Sequence, residues 1–180
     1  SELLQKKEDA TAYNVNGLEM ELTKRKGASV LLAEDNVINQ DVFKQLLEAI
    51  GIVVTVAENG KVALELVRTI KYDMIFMDIQ MPVMDGYEAT AAIRSLPGMV
   101  ELPIIAMTAN AFDEDRQKCL EWGMNDHMAK PIEVEKLYRS LVRWIPAKED
   151  TFQEKEASSK FEIETGSINK MSEKNMEDEL

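Results

Sequence analysis

Cysteine occurs once in these 180 residues, at Cys119, so the chain can form no intramolecular disulfide. No apolar run approaches the ~20 residues of a membrane span, and the first residues lack the pattern of a secretory signal. Basic residues are scarce: 21 Lys and Arg stand against 33 Asp and Glu, a net charge of -12. A nucleic-acid footprint needs clustered cations, which excludes direct nucleic-acid binding. No Gly-x-Gly-x-x-Gly is present, and "NGK" at 59–61 lacks the glycines and the following Ser or Thr of a phosphate loop, so it reads as a capped turn. These absences predict a cytoplasmic segment without membrane contact. The sequence opens on Ser1 rather than Met, so the expectation is an excised piece whose parent could be membrane-anchored.

What is present suffices for one domain with a sizeable core. Residues 1–27 carry few strong apolar positions, end in "KRKG", and read as a linker. Residues 147–180 read as a flexible acidic polar tail, in which ten acidic residues face five basic ones after Ala147. Between them, over 28–146, short apolar runs ("SVLLA", "IVVTVA", "MIFM", "PIIAM", "HMA") alternate with segments of helical period. This predicts an α/β fold of five parallel strands and five helices. The helical stripes, among them Val42, Phe43, Leu46, Leu47 and Ile50, then Val62 to Ile70, and Val134 to Ile145, are expected in the core, as is Cys119.

The strand ends carry the chemistry. The first run closes on Glu34 and Asp35, the third on Asp78, the fourth on Thr108 and the fifth on Lys130. Parallel strands place those ends along one edge, where open α/β sheets bind ligands. Three carboxylates held together repel unless a hard cation offsets them, and Mg²⁺ accepts one or two carboxylates with waters and phosphate oxygens. Lys130 supplies a fixed positive charge and Thr108 a donor for a phosphoryl group, while Ala109 leaves it room. Asp85 before Gly86 reads as a helix N-cap. Taken singly, Asp78 is a turn residue, Thr108 a cap and Lys130 a surface charge; their joint placement favours the site.

"LLAEDN", "MDIQMPVMDGYEAT", "PIIAMTANA" and "NDHMAKPI" resemble the receiver domain of two-component response regulators, in the variant typical of hybrid sensor histidine kinases. The resemblance implies a flavodoxin-like, doubly wound sheet of order 2-1-3-4-5. It implies Asp78 as phosphoacceptor, with Glu34, Asp35, Asp78 and the Gln80 backbone carbonyl around Mg²⁺. Thr108 and Lys130 would hold the phosphoryl group, with Lys130–Pro131 cis. The residue three before this Lys is usually Tyr or Phe and turns inward together with the Thr; here it is His127, which makes Thr108 and His127 the expected switch.

His127 is the sole histidine and lies in an apolar strand, and no Asp-x-Gly-x-Gly box exists, so the chain holds no kinase core. The expected phosphodonor is a histidine kinase or a histidine phosphotransfer domain. Three alternatives stay open: a stand-alone regulator, a pseudo-receiver that only binds a partner, and an Asp-nucleophile phosphatase. The phosphatase would need a second Asp where Gln80 stands.

Overall fold

The five apolar runs become strands in a computed structural model, which describes residues 17–109 and 112–148. They are β1 (Ser29–Ala33), β2 (Val53–Ala57), β3 (Met74–Asp78), β4 (Ile104–Thr108) and β5 (Asp126–Ala129), all parallel, in the order β2-β1-β3-β4-β5. The connecting helices are α1 (Val37–Ala49), α2 (Gly60–Thr69), α3 (Gly86–Arg94), α4 (Asp113–Glu121) and α5 (Val134–Trp144). Among the described residues, no helix is long and apolar enough to cross a membrane.

Alternation along the strands builds two cores. Leu31, Ala33, Ile75, Met77, Ile104 and Ala106 face α2, α3 and α4, where Leu64, Ile93 and Cys119 close the layer. Val30, Leu32, Met74, Phe76, Ile105 and Met107 face α1 and α5, with Phe43 edge-on to Phe76 at 5.1 Å and Leu137 and Leu141 beyond. Helices thus cover both faces, as the doubly wound reading requires. The central strands β3 and β4 are buried at every position, which is why they read as unbroken apolar runs.

Local signals set the helix starts. Asn36 caps α1 by accepting from the Asn39 N–H, and Asn59 caps α2 by accepting from the Val62 N–H, so "NGK" is the capped turn expected. Asp85 and Glu88 form a capping box on α3. A Cβ on Gly86 would collide with the Asp78 carbonyl oxygen, so only glycine lets α3 start against the end of β3.

Two expectations are corrected. Val42, Ile70 and Val134, placed in the core by their period, are exposed. On α1 only Phe43 and Leu47 are buried, because Val42 sits about 100° around the helix from Phe43. The expected linker 1–27 also differs where it is described: residues 17–23 are helical, and Leu22 is buried with Ile52, Leu141 and Ile145. Arg25, 7% exposed, donates through Nε to the Ile145 carbonyl at 2.9 Å and through Nη2 to the Val142 carbonyl at 3.1 Å. Leu22, with partly buried Leu18 beside it, and one arginine dock a segment whose composition reads as polar. Residues 1–16 and the tail beyond 148 lie outside the described residues.

Candidate functional site

Asp78 is the last residue of β3, and Glu34 and Asp35 directly follow β1, its hydrogen-bonded neighbour, so parallel pairing brings the three acids to one edge. One oxygen from each lies within 4.8 Å of the other two; Glu34 and Asp78 are buried and Asp35 faces solvent. Lys130 follows β5 and reaches across β4. Its Nζ donates to Glu34 Oε2 at 2.8 Å and to Asp78 Oδ2 at 2.9 Å. Thr108 is buried at the end of β4, and the Lys130–Pro131 peptide is cis.

Burial pushes the Asp78 carboxyl above its ordinary range; Glu34 acts in the same direction, while Lys130 and the Gln80 N–H oppose it. Burial alone would push the Lys130 ammonium down, but its hydrogen bonds to Glu34 and Asp78 outweigh that and hold it above its ordinary value. Asp78 is therefore a desolvated carboxyl group beside a fixed positive charge. The donor set is all oxygen, two carboxylates buried and one open to water, which fits a hard, partly hydrated cation such as Mg²⁺.

Some residues of the site carried no signal in the sequence. Glu34 is oriented by the Asn36 N–H at 3.2 Å and Asn39 Nδ2 at 3.4 Å, both to Oε1, while Gln40 Nε2 holds its carbonyl at 2.6 Å. The amide-rich "NVINQ" was the only hint. The cleft around Asp78, about 440 Å³, also reaches Tyr87 on α3, inside the quoted "MDIQMPVMDGYEAT", and Asp115 and Lys118 on α4, which lie outside every quoted motif. Gln80 lines it, and its N–H donates to Asp78 Oδ1 at 3.2 Å. The loop after β3 is strained: Val83, β-branched and 76% exposed, has φ +70°, with the Met84 N–H donating to the Pro82 carbonyl at 2.8 Å in a γ-turn.

His127 lies on β5 opposite Ala106, two positions below the Thr108–Ala129 pair on the same face of the sheet. Its side chain is 20% exposed, and Nδ1 is buried without a hydrogen-bond partner.

A family model described as the response regulator receiver domain matches residues 30–142. Hybrid signal transduction histidine kinase B of Dictyostelium discoideum is 43% identical over 125 residues, which is 63% of this chain and 6% of that protein. The first curated relatives are all much longer; the match takes up between 6% and 22% of their length. Among solved structures, the receiver domain of sensor histidine kinase PA1611 from Pseudomonas aeruginosa PAO1, with magnesium coordinated in its active-site cleft, is 45% identical. Its TM-score is 0.62, covering 66% of this chain and 97% of that one. A chain from the co-crystal of the Saccharomyces cerevisiae histidine phosphotransfer protein Ypd1 and the Ssk1 receiver domain is 32% identical, TM-score 0.63, covering 66% and 89%. Sequence and three-dimensional likeness meet on the same residues: this chain belongs to the receiver domain family of two-component response regulators and is homologous to the receivers of hybrid histidine kinases.

Proposed function

We propose that Asp78 accepts a phosphoryl group from a phosphohistidine, and that Glu34, Asp35, Asp78 and the Gln80 carbonyl hold Mg²⁺ while it does so. The observation that carries this reading is Lys130 Nζ bridging Glu34 and Asp78 at 2.8 and 2.9 Å, beside three carboxylates within 4.8 Å of each other. An Asp78 carboxylate oxygen attacks phosphorus, the phosphorus–nitrogen bond of the donor breaks, and the imidazole leaves with the electron pair. Lys130 and the Thr108 hydroxyl hold the transferred oxygens. Bound Mg²⁺ supplies positive charge against the phosphoryl oxygens and the crowded carboxylates.

A protein donor is supported by the outer face of α1, where Ile38 and Val42 are 73% and 53% exposed. An apolar trough of about 460 Å³ lined by Val42, Phe43, Ala109, Pro131 and Ile132 joins that face to the cleft edge at Glu34 and Lys130. A hybrid sensor kinase is the parent that the relatives favour, and a cytoplasmic receiver fits it. Thr108 and His127 form the switch in this reading: both lie on one face of the sheet, and small Ala106 between them leaves room for the ring to move.

The test is intact mass after incubation with acetyl phosphate and Mg²⁺. One phosphoryl adduct is expected. Asp78→Asn should abolish it, Asp35→Asn should lose most of it, and Lys130→Ala should weaken it. An undiminished adduct in Asp78→Asn overturns the assignment. NMR of the His127 ring in the same samples checks the switch: its signals should move on phosphorylation. Signals that ignore the state of Asp78 make it a packing residue.

A further inference from the structure

The cleft is lined by four carboxylates, Glu34, Asp35, Asp78 and Asp115, in a chain of net charge -12. A phosphodonor arrives as an anion and meets that field. Against it stand two lining ammoniums, Lys130 and Lys118. Lys130 is bound by Glu34 and Asp78 at once, so its charge is already shared. Lys118 makes no ion pair with any residue whose side chain is described. Its Nζ instead lies 4.7 Å from the centroid of the Tyr87 ring.

That ring is a fixed platform. Tyr87 is 8% exposed and sits 5.6 Å from the Trp122 ring. It follows Gly86, where a Cβ would collide with the Asp78 carbonyl oxygen, so the platform starts against the end of the strand that carries Asp78. An exposed lysine ordinarily samples many rotamers; here the aromatic face holds the ammonium on the wall of the cleft.

We propose that Lys118, held over Tyr87, is a binding residue that draws in anionic phosphodonors and holds them beside Asp78. The inference rests on the phosphoacceptor reading of Asp78. It is local, because charges separated by more than about 8–10 Å are screened at physiological salt. It is also graded by donor charge: a dianionic acyl phosphate gains more than phosphoramidate, which carries less negative charge.

The experiment follows the rate of phosphorylation, with Mg²⁺ saturating, for the parent chain and for Lys118→Gln, Lys118→Glu and Lys118→Arg. Acetyl phosphate and phosphoramidate are the donors, at low salt and at about 0.5 M salt. Lys118→Gln should raise KM for acetyl phosphate roughly 3- to 10-fold at low salt with the maximal rate unchanged, and the gap should close at high salt. Lys118→Glu should do more, Lys118→Arg should resemble the parent, and phosphoramidate should be affected less. A KM within twofold of the parent at low salt, or an equal loss with both donors at both salts, overturns the role of Lys118. A parent chain that forms no adduct overturns the phosphoacceptor reading itself, so the two failures are told apart.

Discussion

Tyr87 shows what its place beside the cleft costs. Burial pushes its hydroxyl up to about 12, with the Cys119 thiol, Asp115 and Asp85 acting in the same direction. An unfolded tyrosine ionises near 10. Between those values the unfolded chain gives up the proton while the folded chain keeps it, so Tyr87 stabilises the fold below pH ~10 and that contribution is lost as pH rises toward about 12. The loss is on the order of 2 kcal/mol at the top of the window. Thermal melts of the parent and Tyr87→Phe from pH ~8 to ~11.5 should therefore converge at alkaline pH, the variant losing less Tm than the parent. Parallel loss in both would place the alkaline sensitivity elsewhere.

At the scale of elements, α1 divides into a packed face and a bare one. Phe43 and Leu47 anchor it, while Val37, Ile38 and Val42 form an apolar face that the fold does not use. Replacing both Ile38 and Val42 by Ser should change stability by about 0.5 kcal/mol at most per site. It should slow phosphotransfer from a phosphorylated histidine phosphotransfer protein by roughly tenfold or more and leave the acetyl phosphate rate untouched. Equal loss with both donors would mean that the double variant disturbs the cleft itself. The same helix marks where the sequence can be read and where it cannot. β3 and β4 were legible because full burial leaves an unbroken apolar run between turn signals. Glu34, Asp35, Asp78, Thr108 and Lys130 were legible together because parallel strands deliver their ends to one edge. Val42 was misplaced because a 3.6-residue period marks an apolar stripe without saying whether protein or partner covers it. Tyr87 lies inside a quoted motif and Lys118 outside all of them, and their meeting was not legible because it depends on how α3 and α4 pack.

For the whole molecule, the domain is larger than its motifs. Leu22 and Arg25 lie upstream of the 30–142 family match yet are buried against Leu141, Val142 and Ile145. Leu22→Ala should cost about 2–3 kcal/mol, and Arg25→Leu should cost about 1–3 kcal/mol by stripping the Val142 and Ile145 carbonyls of their donor. Urea unfolding monitored by circular dichroism measures both. Midpoints equal to that of the parent would show that residues 17–27 are ornamental to the fold. The clasp between Arg25 and Ile145 has a geometric result as well. Arg25 lies four residues before β1, so the chain comes into the domain and leaves it side by side, at the edge where the strands begin. Asp78 lies at the opposite edge, where they end. A domain whose two chain ends meet at one edge, with its acidic cluster at the other, has the layout of a pendant. Polypeptide joined at either end would leave the edge that carries Asp78 uncovered.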